Sequence, residues 1–278
     1  MACKRRLRFI RAATAAAFAL CLPSCAKAEK SVVVAGSTSV QPYVEILAEE
    51  FSRLYPEGAI DIQGGGSSAG ITAVESGAAG IGMSSRELSE KESGLQSIVI
   101  AKDALALIVH PNNPVNNLTG AQVRDIYTRK ITDWSEVGGA KGKIHVISRE
   151  EGSGTRAAFE ELVMNGEAVT ARAIIQNSNG AVRQLVSDDP GAVGFVSLGL
   201  AENQTGLKPV KALSLDGVPP TRESVLNGEY TLYRPFLLVT DGELTGTAAL
   251  FVEFALSEAG QRILTEEGLI SYYSGVRG

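Results

Sequence analysis

The stretch ISREEGSGTRAAF (residues 147–159) decides how the rest of the chain is read. A strand-like run over 143–148 leads into Arg149, and a glycine-bracketed loop follows, Gly152-Ser153-Gly154-Thr155. Helix formers come next, with Phe159, Leu162 and Val163 spaced for one apolar face. A strand, a Gly/Ser/Thr turn and a helix start together make an anion site. The first amides of a helix lack intrahelical partners and lie at its positive dipole end. Ser153 and Thr155 add hydroxyl donors, and Arg149 offers a planar fork suited to a tetrahedral oxyanion. An ordinary N-cap in a strand–helix loop accounts for the same residues. The balance shifts because the pattern occurs twice more.

Working outward, VVVAGSTSVQPY (32–43) places Ser37, Thr38 and Ser39 between a buried strand and a helix with Pro42 in its first turn. Val40, Val44, Leu47 and Phe51 form one helical stripe. IDIQGGGSSAG (60–70) repeats the arrangement: a short strand, a polyglycine-serine turn and a helix carrying Ile71 and Val74. Strand and helix flank that turn with no spacer, which argues against a flexible linker. GIGMSSREL (80–88) ends another strand at Ser84 and Ser85, and Ser84 with Glu87 fits a capping box.

Gly66-Ser67-Ser68-Ala69-Gly70 also matches the nucleophile elbow of serine hydrolases, with Ser68 as nucleophile. The chain has two histidines, His110 and His145; Asp125 or Asp133 with His145 would complete the chain order of a triad. Nothing else marks one, and strand histidines usually pack or sit at edges. No nucleotide-binding glycine loop and no His/Cys cluster with metal-ligand spacing occurs.

The N-terminus reads as an export signal. Lys4, Arg5, Arg6, Arg8 and Arg11 precede a short apolar run, residues 12–22, that ends in Leu22-Pro23-Ser24-Cys25. That tetrad resembles a bacterial lipobox, which implies cleavage after residue 24 and lipid attachment (a palmitate-type acyl chain) at Cys25. All three cysteines lie within the first 25 residues, so the mature chain would keep only its own first residue as a thiol. Without the five basic leader residues, 21 basic residues face 31 acidic ones, a net of −10. So acidic a body argues against nucleic acid and anionic lipid as partners, and any bound anion must be held by local dipoles and hydroxyls.

GSTSVQP (36–42), GGSSAG (65–70), IGMSSR (81–86) and REEGSGTR (149–156) together resemble the phosphate-binding lipoproteins of bacterial phosphate ABC importers. The likeness continues through LTGAQVRDIY (118–127), ITDW (131–134), VGG (137–139), SNGAV (178–182), PGAVGFVS (190–197) and SEAGQRI (257–263). It implies an α/β, two-lobed periplasmic binding protein of the type II, Venus-flytrap kind with two hinge-crossing strands. Alternating short strands and helices independently point to α/β with parallel sheets, and ligands in such sheets lie at the carboxyl ends of strands. Apolar runs place the crossings at 104–110 and 232–240. The division is then a leader over 1–24, one lobe from 25–108 with 232–278, and a second over 109–231.

Carried onto this sequence, the resemblance implies phosphate ligands Thr38, Ser39, Val40, Ser67, Ser85, Arg149, Ser153, Gly154 and Thr155. Glu151 falls where the family has a carboxylate that steadies the arginine. Ser85 stands where well-known members carry an aspartate that accepts the proton of hydrogen phosphate and rejects sulfate, so sulfate is the alternative ligand. Arg86 either adds charge beside the site or lies on the surface. The implied partners are inorganic phosphate and the permease and ATPase subunits of the importer. The implied chain is a monomer in the periplasm or on the outer face of the cell envelope, anchored to the membrane by lipid on Cys25, with no cofactor, metal or catalysis.

Overall fold

The computed structural model describes residues 31–202 and 206–273; the leader and its Cys25 lipobox lie outside them. The chain opens with β1 (Val32–Gly36), α1 (Gln41–Leu54), β2 (Ile60–Gly64), α2 (Ser67–Glu75) and β3 (Ile81–Ser84). β4 (Gln96–Val109) is the longest strand, at 14 residues. Next come β5 (Asn117–Leu118), α3 (Gly120–Tyr127), β6 (His145–Arg149), α4 (Gly154–Leu162), β7 (Ile174–Gln176), α5 (Asn179–Asp188) and β8 (Ala192–Ser197). Shorter pieces follow: α6 (Leu198–Ala201), β9 (Lys211–Ala212), β10 (Ser214–Leu215) and α7 (Arg222–Leu226). The chain then returns through β11 (Tyr233–Thr240), α8 (Gly246–Leu256), α9 (Glu258–Glu266) and β12 (Ile270–Ser271).

The strands run in the order β2-β1-β3-β11-β4-β8-β6-β7. β1 is parallel to β2 and β3, and β6 is parallel to β7 and β8. β11 and β4 are antiparallel to their neighbours, so the sheets are mixed rather than purely parallel. The antiparallel pair exists because β11 re-enters the first lobe from the second, against the direction of β4.

Two apolar cores make the two lobes. In one, Val34, Val44, Leu47, Phe51, Met83, Phe236 and Phe251 pack together; α1 contributes the stripe that its spacing predicts. In the other, Leu107, Ile126, Tyr127, Trp134, Ile147, Phe159 and Phe195 do the same. Each fully buried side chain of this size contributes about 1.5–3 kcal/mol. β4 belongs to both lobes: residues 96–104 pair with β11, and 105–109 pair with β8. At the return, the Leu105 amide donates to the Leu232 carbonyl and the Tyr230 hydroxyl to the Leu105 carbonyl, both at 2.8 Å. The apolar run 232–240 is therefore mostly a strand of the first lobe, and the chain changes lobe just before it.

Three local expectations change. The strand over 143–148 is β6, which starts two residues later because Lys143 bridges to Asp133 instead. Leu162 is 39 % exposed while Phe159 and Val163 are buried, since the core side of α4 runs through Ala158, Phe159 and Val163. Ser84 and Glu87 form no capping box. The Ser84 hydroxyl instead folds back on Arg86, and the capping box is made by Ser89 and Glu92.

Candidate anion site between the lobes

The site begins at the strand–helix turns. Gly36, at φ 137°, lets β1 turn beneath Met83 where a Cβ would strike the Met83 carbonyl. Ser37, Thr38 and Ser39 follow, with Ser37 and Ser39 at most 2 % exposed. Gly66 caps α2 and leaves Ser67 as its first residue, fully buried. On the opposite lobe Ser153 caps α4, its hydroxyl accepting from the Arg156 amide at 3.2 Å. The ordinary cap is real, and it leaves the Ser153 O–H free to donate. Gly154 and Thr155 are the first two helical residues, whose amides have no intrahelical acceptor.

The loops meet across the cleft. Ser39 Oγ lies 2.8 Å from Thr155 Oγ1, and the Ser68 amide donates to the Gly152 carbonyl at 3.1 Å. Ser37 Oγ donates to Ser85 Oγ at 2.9 Å, Ser67 Oγ is 3.4 Å from Ser85 Oγ, and the Ser85 amide donates to Ser67 Oγ. A side chain at Gly154 would overlap the hydroxyls of Ser67 and Ser85. Glycine is required there by the other lobe, not by its own turn.

Arg149 is 1 % exposed. Its Nε and Nη2 donate to the two oxygens of Glu150 at 2.9 and 2.8 Å, and Nη2 also reaches Thr38 Oγ1 at 3.3 Å. Nε and Nη2 further approach the carbonyls of Gln176 and Asn177. Nη1 is buried and has no hydrogen-bond partner. A buried, uncompensated guanidinium N–H is costly, so the geometry suits an acceptor arriving at that edge. The carboxylate that steadies Arg149 is Glu150; Glu151, the expected one, is exposed. β6 ends at Arg149, so Glu150 is already outside the strand and turns back to the guanidinium, while Glu151 lies in the turn that follows.

Of the nine residues implied at the site, eight lie on the facing turns or at the end of β6 beside them. Val40 enters differently from the rest: its amide donates to the Ser37 carbonyl at 3.1 Å and its side chain is in the core. Arg86 is not a free surface group. It forms a two-pronged pair with Glu92 at 2.8 Å and donates to Ser68 Oγ at 3.2 Å. That pairing holds the Glu92 carboxyl well below the usual glutamate range, at about 2.

Three further side chains complete the cluster. Asn179 Nδ2 donates to Ser39 at 2.9 Å and approaches Thr38 and Thr155. Asp103 and Arg234 form a buried pair at 3.2 Å; Ser197 donates to the same carboxylate at 2.7 Å, and Arg234 Nη2 donates to Ser39 at 3.1 Å. Burial pushes the Asp103 carboxyl up and the Arg234 guanidinium down, against their mutual attraction. A charged residue inside an apolar strand was the available signal for both, since such residues are almost never fully buried unless paired.

The hydrolase arrangement is not assembled. Ser68 Oγ accepts from Arg86, His145 Nδ1 lies 2.6 Å from Asp189, and His110 Nδ1 accepts from the Asn112 amide. His145 starts β6 and Arg149 ends it, so about 13 Å of strand separates that histidine from the cleft.

A two-lobed α/β fold with a cluster of buried hydroxyl and guanidinium donors where the lobes meet is the build of a solute receptor. A sequence model described as the PBP superfamily domain matches residues 23–259. The phosphate-binding protein PstS of Bacillus subtilis is 35 % identical over 249 residues, covering 88 % of this chain and 81 % of that protein. PstS of Borreliella burgdorferi is 30 % identical over 252 residues, covering 87 % and 90 %. Among solved structures, a Clostridium perfringens protein assigned as a phosphate ABC transporter substrate-binding protein, with bound phosphate, superposes with a TM-score of 0.82. It is 44 % identical, and the match covers 87 % of this chain and 99 % of that one. A phosphate transport receptor from Vibrio cholerae gives 0.70 at 38 % identity, over 86 % and 99 %. The chain belongs to the PstS family of phosphate-binding proteins.

Proposed function

We propose that this protein binds inorganic phosphate between its lobes and delivers it to an ABC importer without chemistry on the ligand. The observation that carries this is Arg149: buried, held along one edge by Glu150, touching the Thr38 hydroxyl of the other lobe, and left with an unpartnered Nη1. Thr38, Ser39, Ser67, Ser85, Ser153, Gly154 and Thr155 would supply the remaining donors, with the α4 dipole behind the last three. Val40 would line the turn that presents Thr38 and Ser39. The names of the relatives support both the ligand and the importer.

In this reading the lobes are 25–108 with 232–278, and 109–231, closing about the two chain crossings. The mature monomer is tethered outside the cell by lipid on Cys25 and meets the permease there. Among the described residues no helix is long and apolar enough to cross a membrane. Ser85 favours sulfate as a weaker second ligand, because a hydroxyl both donates and accepts.

Calorimetric titration of the refolded mature protein with phosphate, sulfate and molybdate tests the assignment. Saturable phosphate binding, tighter than sulfate, is expected; binding of none of the three would refute it. Refolding matters because phosphate could copurify.

A further inference from the structure

Arg234 repeats the construction of Arg149. Its side chain is 2 % exposed and its partner Asp103 is 1 % exposed. Nε and Nη2 both donate to Asp103 Oδ2, at 3.3 and 3.2 Å, and Nη2 also donates to Ser39 Oγ at 3.1 Å. Nη1 is buried without a partner. In each arginine a carboxylate holds the Nε/Nη2 edge, a hydroxyl of the Thr38–Ser39 turn takes a further bond, and the remaining nitrogen is unbonded. The two guanidiniums thus touch adjacent residues, and Ser39 links Arg234 directly to Thr155 at the start of α4.

We propose that Arg234, locked in place by Asp103, is a second guanidinium of the anion site, and that the site therefore prefers a dianionic tetrahedral oxyanion. This rests on the phosphate reading above. A purely structural pair would explain the bonds to Asp103 and Ser39. It leaves Nη1 buried without a hydrogen-bond acceptor: the Phe236 ring, 5.6 Å from Cζ, offers the guanidinium a face but no lone pair, and an anion would supply one. The carboxylates do not reverse the preference. Asp103 has Oδ1 engaged by Ser197 and Oδ2 by Arg234, and both Glu150 oxygens are engaged by Arg149. None of the four oxygens is left unbonded to take a ligand proton, and position 85 offers a hydroxyl instead of a carboxylate. The site is rich in donors and built for charge.

The test is calorimetric titration with inorganic phosphate and sulfate from about pH 6 to pH 8, on wild type, Arg149→Ala, Arg234→Met and the double variant Asp103→Asn/Arg234→Gln. Wild-type affinity for phosphate should rise over this range as the ligand becomes a dianion, while sulfate, a dianion throughout, should show no trend. Either Arg234 variant should weaken phosphate by about thirtyfold or more at the upper end, by analogy with truncated buried charge pairs. Both should also flatten the phosphate pH trend. The double variant removes both charges together, so it keeps a neutral pair should Arg234→Met leave Asp103 stranded and unfold. A merely structural role would lower the melting temperature and leave the pH trend intact. Normal affinity and slope in a folded Arg234 variant, with Arg149→Ala weakened, would overturn the second guanidinium alone. No binding by wild type would overturn the phosphate reading and this inference together.

Discussion

Arg149 is held for its task before any ligand arrives. Glu150 grips one edge, the Gln176 and Asn177 carbonyls accept beside it, and the Arg156 side chain ties down the Arg149 carbonyl at 3.1 Å. Losing this fork should cost about 2–5 kcal/mol of binding, as for one member of a buried charged contact. Arg149→Ala should therefore weaken phosphate at least tenfold, since about 1.4 kcal/mol is a factor of ten. Thr155→Val should cost less, because a neutral donor goes and the helix amides stay. Titration of both variants checks the order, and wild-type affinity in Arg149→Ala would reduce the loop to a cap. Ser85 carries a different prediction. Its hydroxyl accepts from Ser37 and lies beside Gly154 in the pocket, so an acid there would face the ligand. Ser85→Asp should reduce sulfate competition more than phosphate affinity, because only phosphate can offer the carboxylate a proton. Competition titrations near neutral pH measure this; a wild type indifferent to millimolar sulfate would remove Ser85 from the account of selectivity.

At the scale of elements, the binding loops are aimed by the helices behind them. α4 is fixed by Phe159, whose ring stacks on Phe195 at 4.1 Å with 5° between the planes and packs on Tyr127. Phe159→Ala should destabilise the protein by about 3–5 kcal/mol. It should also weaken phosphate, since the Ser153–Thr155 turn loses its backing; denaturant melts with and without ligand read both effects. The turn after β3 is fixed electrostatically. Arg86 holds the Glu92 carboxyl down at about 2, so the native state binds this proton less readily than the unfolded chain. That contribution is fully present above the ordinary glutamate range and disappears as pH falls through about 2. Glu92→Gln should accordingly lower stability at neutral pH, by roughly 1 kcal/mol for a largely shielded pair. The gap from wild type should close on acidification. Melting curves at neutral and strongly acidic pH give the comparison, and an undiminished gap in acid would refute it.

For the whole molecule, β4 is the structural bridge: it is one strand in two sheets, and Asp103 sits on it just before it passes from one to the other. The buried pair with Arg234 joins β4 to β11, while Ser197 reaches Asp103 from the second lobe. The donor cluster at Ser39 and the order at the crossing therefore share the same side chains. The proposed attachment to the envelope would depend on one residue, Cys25, outside the described part of the chain. Cys25→Ser should move the protein from the membrane fraction to the soluble envelope extract, followed by immunoblot. Retention in the membrane with the leader cleaved would defeat the lipid anchor.

The sequence by itself determined the local grammar: which strands feed which helices, where glycine and serine turns lie, and that Arg149 ends a strand beside one of them. These signals are short-range, set by backbone freedom, helix capping and apolar periodicity, so Val40, Val44, Leu47 and Phe51 were legible as a buried stripe. The motif set also carried the family. Only the tertiary structure decided which carboxylate steadies Arg149, because Glu150 and Glu151 are equivalent as sequence and differ only in how the turn after β6 directs them. It alone brought Asp103, Asn179 and Arg234 to Ser39, across separations of up to 195 residues. It alone showed why Gly154 is glycine, since the constraint comes from Ser67 and Ser85 on the facing lobe. Charge pairs buried between distant strands leave no periodic trace in a chain. Their positions are set by how two lobes close on each other.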